Sequence, residues 1–228
     1  MFINKIVLMK YWFIILSIFV YLSCTQKKSN NTFEHTPKHF EISEEFKSEK
    51  DTTINVLWLQ KTWNSELRDT LEKIMLNDIY IQTASPEAKY ILAFASVLAE
   101  TECWWQGEEP NTDKSNLSCL LLSALDMGCQ CSKTHIDTLL YAFNSDSNIM
   151  KQIYKCTPTP YTATFQNTCE FISLQKTANN YILHLKARAF NTRNQTQTPW
   201  EKRIVFEITD SGIVSKKSID YSIIENHL

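Results

Sequence analysis

Hydrophobic and polar positions change rhythm several times along the chain. An uncharged apolar run fills residues 11–22 behind Lys5 and Lys10, shorter than the roughly 20 apolar residues a membrane-spanning helix needs. Residues 25–51 are polar and charged and read as a solvated tether. The apolar run at 54–60 fits strand or helix equally, because so short a window has no decisive period. Asn64 or Ser65 then offers an N-cap, and Leu67, Leu71, Ile74 and Met75 recur at helical spacing, which predicts an amphipathic helix.

Ser85-Pro86-Glu87 is a clear helix start: a capping serine, proline in the first turn and an acid at the positive end of the dipole. Residues 88–99 are apolar almost all round and predict a buried central helix. A second apolar helix is expected over 117–126, with Gly128 at its C-terminal stop. Ser132 or Thr134 caps a third that turns Ile136, Leu139, Leu140 and Phe143 inward, and a shorter helix follows at 147–154.

After Pro158 and Pro160 the period falls to two. A strand is predicted at 164–176 and a turn at 178–180; Tyr181, Leu183, Leu185, Ala187 and Ala189 then alternate with Ile182, His184, Lys186 and Arg188. A loop at 191–199 leads to Trp200, Lys202, Ile204, Phe206 and Ile208, a turn at Asp210-Ser211-Gly212 and a last strand at 213–224. The expected fold is α+β, a single domain over 53–228: a mainly helical part (53–157) packed on a C-terminal four-stranded antiparallel meander (161–225). His184 falls on the mixed face of that sheet, as a cross-strand polar partner.

The net charge of −2 gives no electrostatic footprint for nucleic acid. With only Gly107, Gly128 and Gly212, no phosphate-cradling loop or dinucleotide fingerprint can be written, so no nucleotide and no other cofactor is expected. Gly-x-Ser-x-Gly and His-Glu-x-x-His are absent too, and the balance leans away from an enzyme.

Leu22-Ser23-Cys24, closing the apolar run, resembles the lipobox of bacterial lipoproteins, with Tyr21 where that pattern usually has an aliphatic residue. The resemblance covers this segment alone. It implies a signal peptide over 1–23, palmitate-type acylation of Cys24, and a lipidated N-terminus with a flexible tether over 24–52. The lipid then attaches the chain to a membrane of the bacterial cell envelope, facing the periplasm or on the outer-membrane surface. Asp51-Thr52-Thr53 is similar to the O-glycosylation sequon of some Gram-negative lipoproteins.

In such a compartment Cys103, Cys119, Cys129, Cys131, Cys156 and Cys169 read as a disulfide set whose pairing spacing cannot decide. Buried free thiols are an alternative, and so is a soft-metal site at Cys129, Cys131 and His135. Glu100 and Glu102 lie where a helix dipole disfavours acids, beside Trp104, Trp105, Glu108 and Glu109. Aromatic anchors among charges describe a binding surface for a protein or glycan. The same carboxylates describe, alternatively, a glycosidase-like cleft. The leading expectation is a non-catalytic binding or inhibitory, immunity-like module of the cell envelope; an envelope hydrolase acting on glycan and a Cys/His metal-handling lipoprotein are the alternatives.

Overall fold

The strand that places everything else is β4, Asn180–Asn191, where Tyr181, Leu183, Leu185 and Ala187 are buried and the residues between them are not. That period of two divides the sheet into a core face and an outer face. The computed structural model describes residues 39–99, 117–127, 130–156 and 165–222. The expected signal segment, Cys24 and the first part of the expected tether lie outside them, as do Glu100, Glu102, Cys103, Trp104, Trp105, Glu108, Glu109 and Cys129.

The element order is α1 (Glu44–Ser48), β1 (Thr52–Asn64), β2 (Asp69–Leu76), α2 (Asp78–Thr83), α3 (Pro86–Ala99), α4 (Leu117–Ala124), α5 (Lys133–Ala142), α6 (Ser147–Lys155), β3 (Phe165–Thr177), β4, β5 (Thr196–Thr209) and β6 (Gly212–Ser222). The strands form one antiparallel sheet in the order β2-β1-β3-β4-β5-β6. The fold is α+β, but the expected four-stranded meander is corrected to a sheet of six strands, because a hairpin from the N-terminal part pairs along β3.

That hairpin replaces the helix expected at 67–75. Asn64 caps as a helix start would: its Oδ1 accepts hydrogen bonds from the backbone N–H groups of Glu66 and Leu67. The chain then reverses at Arg68, whose φ is 50°, and β2 pairs back on β1 with Leu57 opposite Leu76 and Leu59 opposite Ile74. A capping side chain closes a tight turn as readily as it opens a helix.

The helices read well from their caps. Ser85 Oγ accepts from Ala88 N–H at the head of α3, Ser132 Oγ from His135 N–H at the head of α5, and Asp146 from Asn148 and Ile149 at the head of α6. Ile91, Leu92, Phe94 and Ala95 make α3 the buried spine, and Phe94, Phe143 and Phe206 join α3, α5 and β5 through ring contacts of 5.2 to 6.1 Å. At the β5–β6 turn Gly212 has φ 131° and comes so close to Ala142 O and Asn144 Oδ1 that an added Cβ would lie 2.9 Å from each. Only glycine fits there.

The tether also ends earlier than expected. Phe40 and Phe46 are buried, and both oxygens of the fully buried Glu87 carboxylate accept hydrogen bonds at 2.7 Å from Ser43, one from its N–H and one from its hydroxyl. Lys176, 4% exposed, places its ammonium 4.5 Å from the Phe46 ring centroid and donates to Ala178 O at 2.9 Å. Tyr181 donates its hydroxyl to Glu49. Residues 40–49 therefore form a strap seated in the core, and Thr52, the acceptor position of the sequon-like triplet, is the exposed first residue of β1.

Candidate functional site

The outer sheet face gathers charged and aromatic side chains from four strands. Pairing aligns Trp58 of β1 with Phe171 of β3, Phe171 with Lys186 of β4, and Lys186 with Glu201 of β5, so one row crosses four strands. The next row sets Ser173, His184 and Arg203 side by side. Register shifts in β1 between Asn55 and Leu57, and in β3 between Cys169 and Phe171, mark bulges. A bulge re-aims side chains; the one in β3 brings the consecutive residues Glu170 and Phe171 to the same cleft.

The cleft has a volume of about 380 Å³ and is lined by Trp58, Leu59, Lys61, Glu170, Phe171, His184, Lys186 and Arg188. Beside it Glu201, 14% exposed, holds three basic groups: His184 Nε2 at 2.7 Å, Arg203 at 3.3 Å and Lys186 at 3.4 Å. Arg188 divides its guanidinium between Glu170 at 2.6 Å and Gln197 at 3.0 Å. Ion pairs open to solvent add only about 0.2 to 1 kcal/mol each to stability, and Lys186 and Arg203 bring exposed ends to these. Their greater effect is to hold charged side chains in a fixed array.

Burial lowers the His184 pKa, with Arg203 and Lys186 pushing the same way and Glu201 opposing them. The ring is therefore neutral near pH 7, donates from Nε2 to Glu201 and meets Phe171 edge-on at 5.4 Å. Burial would raise Glu201, but the attraction of His184 and Lys186 and their hydrogen bonds outweigh it and keep the carboxyl below its usual range. The cleft thus presents fixed positive charge, fixed carboxylate acceptors and two aromatic rings together.

A second constellation is internal. Cys131 and Cys156 form a disulfide with Cα atoms 5.5 Å apart, tying the head of α5 to the end of α6. The Cys131 N–H donates to His135 Nδ1 at 3.0 Å, so the ring proton is on Nε2, which donates to Ala93 O at 3.1 Å and has Ser96 Oγ at 3.3 Å. The soft-metal alternative is thereby corrected for two of its three residues: Cys131 has no thiolate to offer, and both His135 nitrogens are engaged inside the core. Among the described residues no group of three or more His, Cys, Asp and Glu is placed to hold a metal ion. Cys169, expected in the disulfide set, is a buried free thiol whose pKa burial pushes up to about 12. Cys119 lies on α4.

The alternation read from the sequence set His184, Lys186 and Arg188 opposite the apolar residues of β4, with His184 as a cross-strand partner, and that is where they are found. It missed Trp58, Phe171 and Glu170, since these enter the cleft only through the β1–β3 pairing and the bulges. The acid–tryptophan segment at 100–109 lies outside the described residues, between α3 and α4.

Fold and cleft together define an α+β module with one sheet face sealed by helices and the other carrying an aromatic, charged cleft. No family model, no curated protein and no solved structure matches the chain. Among the described residues no helix is long and apolar enough to cross a membrane.

Proposed function

We propose that the chain is a cell-envelope lipoprotein, held by an acylated Cys24, whose body is a non-catalytic module that binds a partner through the outer sheet face. The observation that carries the binding role is the cleft itself: Trp58 and Phe171 stand among preset charges instead of packing into the core. Aromatic anchors ringed by complementary charge are the usual makings of a recognition surface. A reaction would need a nucleophile or an acid–base pair facing bound substrate, and the His184–Glu201 pair is already absorbed in an ion-pair network. The anchoring half rests on the resemblance at Leu22-Ser23-Cys24.

Two measurements test the two halves. In cells fed an alkyne fatty acid, the protein should carry the label and fractionate with envelope membranes, and Cys24→Ala should lose both properties. A photocrosslinking residue at position 58 of the full-length protein should capture an envelope component that the same residue at 79, on exposed Ile79 of α2, does not. Equal capture at both positions, or at neither, overturns the binding surface.

A further inference from the structure

We infer that the outer-face cleft takes a saccharide bearing a carboxylate. This deepens the binding reading above and rests on it.

Charge comes first. Around the cleft stand Lys186, Arg188 and Arg203 against Glu170 and Glu201, an excess of one positive charge on a chain whose net charge is −2. A local field opposite in sign to the whole molecule selects anions at that place. Arg188 supplies a planar fork fixed by Glu170 and Gln197, suited to a planar carboxylate.

Hydroxyl recognition comes second. A hydroxyl both donates and accepts, so a hydroxyl-rich ligand needs acceptors as well as donors. Glu170, which lines the cleft, supplies an acceptor, and the basic side chains supply the donors. Trp58 and Phe171 give apolar faces on which the C–H side of a sugar ring can lie while its hydroxyls keep polar partners.

Topology decides between a sugar and a peptide. A peptide gains most when it adds as a strand to a free sheet edge. The edges here are β2 and β6, whereas the cleft lies over β1, β3 and β4, whose ladders pair on both sides. An occupant there is read through side chains alone, and the cleft's volume of about 380 Å³ lies at the small-ligand end of pocket sizes.

The test is calorimetry on the full-length protein in detergent micelles. The probes are digalacturonate, a glucuronate-containing disaccharide and sialyllactose, set against neutral lactose, inorganic phosphate and an oligoglutamate peptide. At least one carboxylated sugar should bind about tenfold or more tighter than lactose, as a charge-assisted contact implies. Arg188→Gln and Trp58→Ala should each weaken it by about tenfold, while Tyr154→Ser, on the exposed side of α6, leaves it unchanged. Should Trp58→Ala fail to fold, Lys186→Gln, with an exposed side chain, takes its place.

The inference is overturned if no carboxylated sugar binds at about 10 mM, if lactose binds as well, if phosphate or the peptide binds better, or if the cleft variants bind like the parent. Its failure is separable from that of the broader reading. Capture at position 58 without uronate or sialate binding sinks only the ligand class, and loss of capture at 58 sinks the binding surface itself.

Discussion

Protonating His135 would turn its Nδ1 toward the Cys131 N–H as a second donor, and two donors facing each other in a sealed core repel. Burial already lowers the pKa of this ring, against the raising effect of its bond to Ala93 O. The folded state therefore binds fewer protons than the unfolded chain, in which histidine titrates near 6.5. Stability is complete above that value and declines as pH falls from it toward the lower folded pKa. His184, also lowered, adds a slope of the same sign. Urea unfolding from about pH 7.5 to about pH 5 should show this decline. His135→Gln should cost about 2 kcal/mol at the upper pH, by leaving core hydrogen-bond partners unmatched, and should flatten part of the slope. An unchanged slope would show that His135 is not the responsible group. No sequence pattern marked this residue as a hub: His135 drew notice as a metal ligand through its nearness to Cys129 and Cys131, and its partners Ala93 and Ser96 lie about forty residues away on α3.

At the level of elements, what was legible depended on how local the determining forces are. Ser85, Ser132 and Asp146 announce their helices because a cap acts within one turn, and the alternation in β4 and β5 announces its face because burial repeats every second residue. Leu67, Leu71, Ile74 and Met75 misled because four apolar residues satisfied a helical period by coincidence, while the force that decides, pairing of β1 on β3, comes from more than a hundred residues downstream. The strap escaped notice for a similar reason: two phenylalanines among charges look solvated until Glu87, Lys176 and Tyr181 surround them. Truncating Phe46, buried against Tyr181 at 5.5 Å, should cost about 3 to 5 kcal/mol and open a new protease site near residues 48–51. Glu87→Gln, which keeps an acceptor oxygen but not the charge, should cost less. Proteolysis patterns identical to the parent for Phe46→Ala would refute the seated strap.

For the molecule as a whole, the Cys131–Cys156 bridge acts mostly on the unfolded ensemble. It closes a loop with a sequence separation of 25, which on loop-entropy grounds stabilises by about 3 to 4 kcal/mol. The double variant Cys131→Ser/Cys156→Ser should lower the melting temperature by about 10 °C, and reductant should bring the parent down toward the variant. No shift in either comparison would mean that the bridge does not form. The seated strap has a mechanical meaning too. If residue 24 is fastened to a surface, a pull on the body travels along residues 25–39 and arrives first at Phe40 and the Ser43–Glu87 clasp, before it can act on β1. Residues 40–49 then stand between the load and the six-stranded sheet.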